Sequence, residues 1–167
     1  MNKHLFKTPL TSNSSTQLEE LGAVRREWNT TDACFKTYKY VKASMAVAGS
    51  NGVALSWYDV LGTVVTDDIS TANQNQPAGV CTGTLTHTYY GWIQIGGYHS
   101  AVDTDAGDDF ADGDSAILHA STNGVVDRTA SGTAPVCKPI GIAVAADVDA
   151  ADTVALQLCC AYGDIIQ

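Results

Sequence analysis

"PAGVCTGTLTHTYYGWIQIGGY" (residues 77–98) is the stretch that decides the fold. Proline and glycine open it, apolar and aromatic residues fill two runs, and paired glycines close it. Runs of this composition, broken by a tight polar loop at Thr86–Thr88, read as two strands, 78–85 and 89–97. Side chains alternate along a strand, so in "GWIQIG" Ile93 and Ile95 share one face and Trp92 and Gln94 the other. The isoleucines read as core. Trp92 then lies on the second face, either half exposed or covered by the N-terminal arm or a neighbouring subunit. Tyr89, Tyr90 and Trp92 are therefore candidates for subunit–subunit contact, since Tyr and Trp are enriched at interfaces. A ligand-stacking platform built from the same aromatics is the alternative.

Strand signals continue on both sides. "CFKTYKYVK" (34–42) sets Phe35 and Thr37 against Lys36 and Tyr38. "GVALSWYDVLGTVV" (52–65) is apolar and β-branched, with an internal turn near Asp59. "PIGIAVAADVDAADTVALQLCC" (139–160) repeats the opening stretch. Pro77, Gly79, Val80 and Cys81 match Pro139, Gly141, Ile142 and Ala143; Gln94–Ile95 match Gln157–Leu158 after one inserted residue. The same hairpin is thus expected twice, in one barrel or sandwich. Between the two copies, Gly, Asp, Ser and Thr punctuate short apolar pieces, which fits small turns between short strands. "ADVDAADTVA" (146–155) is Ala-rich, but its aspartates favour a turn. Residues 1–17 are rich in Ser, Thr and Asn and are expected to be mobile in isolation. Thr16 and Glu19 resemble a capping box for one short helix, "QLEELG" (17–22), stopped by Gly22. The expected division is a 1–30 arm with that helix and a 31–167 β-domain.

The length of 167 residues suits one domain, and a hydrophobic content of 45% supplies a core. No apolar run reaches the roughly 18 residues that span a bilayer, and the first residues lack the apolar stretch of a secretory signal. A soluble protein with reduced thiols is expected, without a membrane partner. The five cysteines are odd in number and lack a C-x-x-C, so neither a disulfide framework nor a zinc knuckle is indicated. Cys159 and Cys160 fall on opposite faces of a strand, and the thiols read as buried and inert. Charge is unevenly spread. Residues 1–42 hold seven of the nine Lys/Arg and four of the eighteen acids, a net +3; the remainder holds two bases and fourteen acids, a net −12. An acidic body repels phosphate, so nucleic acid is not an expected partner. The basic, partly apolar arm suits an acidic or mixed protein surface.

Signatures of catalysis are missing: no P-loop, G-x-G-x-x-G, G-x-S-x-G or H-E-x-x-H occurs. The histidines (His4, His87, His99, His119) are scattered, and nothing in their spacing requires His99 and His119 to meet. The acidic run "DTDAGDDFADGD" (103–114) offers hard oxygen ligands but fails the EF-hand spacing, and reads as a solvated turn. No catalytic, cofactor or metal residue is assigned, and no enzyme is expected.

Four stretches carry a resemblance. "LGAVRREWNTTDACFKTYKYVKA" has a glycine, a few charges, then a Phe/Tyr strand ending in a basic residue. "QPAGVCTGTLTHTYYGWIQIGGY" has Gly-aliphatic, a turn, then Tyr-Gly-aromatic-hydrophobic-Gln-hydrophobic-Gly. "DGDSAILHASTNGVV" has the Gly-Asp-x-hydrophobic turn, and "PIGIAVAADVDAADTVALQL" the closing Gly-aliphatic-Ala hairpin. Over approximately residues 20–162 the chain resembles the capsid decoration (cement) proteins of tailed bacteriophages. The cysteines, the Cys159–Cys160 pair and the long acidic turn depart from that pattern. The resemblance implies a β-tulip or β-barrel-like domain with an extended N-terminal arm. It implies a homotrimer on the outer surface of an icosahedral head, made in the host cytoplasm. There it would bind the major capsid protein and cement neighbouring capsomers. On that footing Leu18, Leu21, Val24 and Trp28 of the arm would fill capsid pockets while Arg25 and Arg26 fork onto carboxylates. Alternatives are another virion subunit (tail or head–tail joining), a carbohydrate-binding β-module using Trp92, Tyr89 and Tyr90, and a calcium-dependent adhesin using Asp108 and Asp112.

Overall fold

Aromatic and β-branched residues at alternate positions, punctuated by glycines, favour strand over helix, and every regular element among the described residues is a strand. The computed structural model describes residues 6–45, 49–69, 76–105, 107–129, 138–146 and 152–160. In chain order the strands are β1 (Asn13–Ser14), β2 (Val24–Asn29), β3 (Cys34–Ala43), β4 (Ala54–Trp57), β5 (Val64–Thr66), β6 (Pro77–Cys81), β7 (Tyr90–Asp103), β8 (Ser115–Leu118), β9 (Val126–Thr129), β10 (Gly141–Ala143) and β11 (Thr153–Cys159). They form one sheet in the order β2-β3-β5-β4-β6-β7-β11-β10-β8-β9, with β1 added to β7 and β3 also paired to β7. The pairings from β3 through β5, β4, β6 and β7 return to β3, but β2 and β9 stand at the two ends of the path. The all-β expectation holds. The closed barrel does not, because the sheet keeps its ends.

Strands β3 and β7 are the spine. They run antiparallel, Thr37 opposite Gly96 and Lys42 opposite Tyr90, with a register slip between Thr37 and Tyr38. Gly97 makes the close crossing possible: its φ is +88°, and a Cβ there would collide with the Phe35 carbonyl. Strand β7 is buried on both faces around "GWIQI", and of the alternatives for Trp92 it is cover by the arm that occurs. Ile93 and Ile95 enter the larger core with Val41, Leu55, Val80 and Leu156. Trp92 enters a second, smaller core with Tyr38 and Tyr40, against which Phe6, Leu10 and Leu21 pack. Burying each such side chain contributes about 1.5–3 kcal/mol.

The repeated hairpin is a structural repeat. Strands β6 and β7 pair Val80 with Gln94, and β10 and β11 pair Ile142 with Gln157. In both, the glycine before the aliphatic residue lies against the carbonyl of the facing glutamine. A Cβ on Gly79 would strike Gln94 O, and one on Gly141 would lie 2.8 Å from Gln157 O. The glycines that carried the sequence match are there because two backbones touch.

The short helix expected at 17–22 does not form. The Ala23 N–H donates to Glu20 O (3.0 Å), closing a turn with Gly22 at φ +83°. Gly22 N–H donates to Tyr40 O, and Tyr40 N–H to Ala23 O, so Gly22 and Ala23 both oppose Tyr40 in a β-bulge. The capping-box residues are used elsewhere: Thr16 N–H donates to Ser14 Oγ, and the Glu19 carboxylate accepts from Thr8 N–H (2.9 Å) and Lys7 N–H. Nor does the arm stand apart at residue 30. Residues 6–14 lie on the second core, and β2 is a full member of the sheet, paired with β3 from Val24–Lys39 to Asn29–Cys34.

Candidate functional site

Thr8 is the most densely bonded residue of the arm, which β1 also ties to β7. Trp92 Nε1–H donates to Thr8 Oγ1 (2.8 Å), and Thr8 Oγ1–H donates to Glu19 Oε1 (3.0 Å). Thr8 O accepts from Arg25 Nη1 (3.0 Å). Arg25 is ion-paired to Glu27 and its guanidinium lies 5.5 Å from the Phe6 ring centre and 5.9 Å from that of Trp92. Phe6 and Tyr40 meet Trp92 edge-on, each at 5.2 Å. Trp92 is consequently only 2% exposed. The subunit-contact and ligand-platform assignments of Trp92 are corrected: its own arm covers it. Tyr90 is half-buried against Tyr40, with the two rings stacked at 6.5 Å, and Tyr89 is half-buried beside it.

The other face of β2 is different. Directly opposed residues of antiparallel strands share a face, so Val24, Arg26 and Trp28 lie with Lys39, Thr37 and Phe35. The same face of β3 continues inward as Val41 and Ala43, which belong to the larger core. At its β2 end this core face has no cover among the described residues. Trp28 is 53% exposed and Phe35 50%, their rings in edge contact at 5.0 Å. The Arg26 guanidinium sits 4.3 Å over the Phe35 ring, and the Lys39 ammonium 4.6 Å over that of Trp57. Lys39 lies beside the β4–β5 turn, since Gly62 approaches its ammonium. Three further apolar residues, Tyr58, Val60 and Leu61, project from that turn into solvent. Asp59 builds it, accepting from Thr63 N–H, Thr63 Oγ1–H and Val64 N–H, and these bonds hold its carboxyl below the ordinary value although burial opposes them.

Of the arm residues singled out from sequence, Val24, Arg26 and Trp28 converge on this uncovered face. Leu18 is exposed, with its N–H donating to the Tyr40 hydroxyl (3.2 Å). Leu21 packs on the second core, and the alternation of β2 turns Arg25 inward to it as well. Phe35 was missed, although its place as the second residue of an alternating strand after the Asn29–Ala33 turn marks it as the partner of Trp28. Val60 and Leu61 were missed as surface residues, although the turn read near Asp59 placed them beside its tip.

No protein-family model, curated protein or solved structure matches the chain.

A small cleft of about 240 Å³ lies between the arm and the spine, lined by Leu10, Thr11, Lys36, Tyr38, Gln94 and His99, among others. Its Lys36, Gln94 and His99 already have partners. Lys36 is ion-paired to Asp32 (2.6 Å), and Gln94 Nε2 donates to the carbonyls of Gly96, Gly97 and Tyr98. His99 accepts at Nδ1 from Ala101 N–H, and burial, reinforced by the Lys36 ammonium, pushes its pKa down to about 4. His119 is held elsewhere, 3.5 Å from Asp105, so the structure does not bring the two histidines together. Among the described residues no three His, Cys, Asp or Glu side chains converge as metal ligands. In the acidic turn, Asp114 is buried and accepts from Ala111 N–H (2.9 Å), with Arg128 at 3.9 Å; it builds the turn instead of facing solvent. Burial, with Asp127 and Asp105 nearby, raises the pKa of Asp108. Of the thiols, Cys81 and Cys160 are buried and pushed up by it, Cys81 to about 12. Cys34 is half-buried and Cys159 exposed, correcting the expectation that all are buried. Cys137 and His4 lie outside the described residues.

Proposed function

We propose that this chain is a virion structural protein that binds the outer surface of an icosahedral phage head, as a homotrimer, and cements neighbouring capsomers. The observation that carries the reading is the uncovered end of the core face: Trp28 and Phe35 open to solvent, with Arg26 above them, on a rigid strand pair. An aromatic pair with an arginine is the composition of an interface hot spot. The four quoted stretches supply the kind of partner, a major capsid protein. Val24, Arg26, Trp28 and Phe35 make the capsid contact; Leu18 lies outside it, and Leu21 and Arg25 support it from behind. Tyr89 and Tyr90 remain available for subunit contact, together with the Tyr58–Leu61 tip. The body is acidic and faces away from the packaged DNA.

Heads stripped of this protein provide the test. Wild-type protein is expected to co-sediment with them, and Trp28→Ala or Arg26→Glu to lose binding at least about tenfold, each interface anchor being worth more than about 1.4 kcal/mol. Melting temperatures of the free variants should stay near wild type, because both side chains are exposed. Failure of the wild-type protein to bind heads, or a strictly monomeric solution mass, would remove the reading. A carbohydrate module based on Trp92 finds no support in a ring that the arm covers.

A further inference from the structure

Strand β2 ends the sheet, and among the described residues nothing pairs with its outer edge. Its register with β3 fixes which backbone groups face outward. Tyr40 N–H donates to Ala23 O, so positions 23, 25, 27 and 29 turn their backbone groups toward β3. Val24, Arg26 and Trp28 therefore present their N–H and C=O groups to the outside. These are also the three residues whose side chains lie on the uncovered face. An open row of backbone donors and acceptors and an unburied apolar face thus meet on one strand. Such an edge is a template for another strand unless something blunts it.

The charges indicate which strand. The six residues of the uncovered β2–β3 face, Val24, Arg26, Trp28, Phe35, Thr37 and Lys39, include two cations and no carboxylate. Asp59 lies near Lys39. Arg26 has no carboxylate partner among the described residues and rests only on the Phe35 ring. A second copy of β2 is a poor occupant. The two-fold antiparallel registers that overlap five of the six β2 residues set Arg26 against Arg26 or Glu27 against Glu27, and directly opposed like charges destabilise a sheet.

We infer that β2 accepts an extended, acidic polypeptide segment of another protein as an added antiparallel or parallel strand. Its carboxylates would meet Arg26, and its apolar residues would cover Trp28 and Phe35. This deepens the head-binding reading and rests on it only for the donor, a capsid subunit. Backbone bonds to Val24, Arg26 and Trp28 supply the fit, and the uncovered face supplies selectivity.

The test is amide hydrogen exchange on the 167-residue chain, with a capped peptide of about eight residues as probe, Thr at every second position and Val and Glu by turns at the positions between so that Val and Glu share one face, and its Lys-for-Glu counterpart as control. The acidic peptide is expected to slow exchange at Val24, Arg26 and Trp28 by about tenfold or more, and to leave Arg25 and Glu27, already bonded to β3, unchanged. The basic peptide should do nothing. Val24→Pro removes one outward donor without touching a β2–β3 bond and should abolish the protection. Resonance shifts at the Trp28 side chain without protection of the three amides would overturn strand addition in favour of side-chain docking. Protection that appears without peptide as protein concentration rises would overturn it in favour of self-pairing. If Val24→Pro does not fold, the wild-type exchange pattern still decides. Should the peptide protect while stripped heads do not bind, the strand site stands and the head reading falls; the reverse result separates them the other way.

Discussion

Thr8 uses every polar atom it has. Its N–H and hydroxyl donate to Glu19, its oxygen Oγ1 accepts from Trp92, and its carbonyl accepts from Arg25. At 5% exposure, with Glu19 at 7% and Trp92 at 2%, none of these groups can turn to water instead. Thr8→Val keeps the shape and removes the hydroxyl. It leaves the indole N–H unpaired and strips one donor from the carboxylate, which should cost about 2–4 kcal/mol. Urea denaturation is the measurement, and an unchanged midpoint would show that the node is dispensable. Nothing in "FKTPL" announced this role. A threonine in a polar leader looks like solvent-facing chain, and its importance comes from an indole 84 residues away. Ile93, by contrast, was readable as core from its neighbours alone.

Among the elements, β3, β7 and the two repeated hairpins were legible because local rules set them: alternation, β-branching, and glycine where backbones cross. The failures were elements whose fate depends on distant partners. Glu19 had the spacing for a helix cap, yet the donors it found were on Lys7 and Thr8. Strand β2 was read as part of a tether because "VRREWN" is half charged; its outward residues are an edge and its inward ones complete a core. The segment before it is structural as well. Deleting residues 1–14 removes Phe6, Thr8, Leu10 and β1, and uncovers Trp92. The loss should approach the about 3–5 kcal/mol typical of truncating a large buried aromatic. It should also shift tryptophan emission to longer wavelength. Equal stability of the truncated and full-length proteins would contradict the arm's place in the second core.

For the whole molecule, acid is the informative stress. Burial, with help from Lys36, holds the His99 pKa at about 4, below the 6.5 of an unfolded histidine. Between those values the unfolded chain binds a proton that the folded one refuses, so stability is full above about pH 6.5 and is lost as pH falls toward 4, by up to about 3 kcal/mol. Asp103 and Asp108, raised by burial, act in the opposite sense near the bottom of that window, so the fall should be steepest in its upper part. Urea midpoints between pH 7 and about 4.5 test this. His99→Asn, which keeps an acceptor for Ala101 N–H, should flatten the profile; a slope identical to wild type would assign the effect to other groups.

The partnership of Thr8 with Trp92 also has a meaning in time. A ribosome adding about 5–20 residues per second needs roughly 4–17 s to make the 84 residues that separate them. For that interval the segment around Phe6, Thr8 and Leu10 has no indole to close over. The arm is thus made well before the residue that seals it, and it is most exposed to wrong partners just before β7 appears.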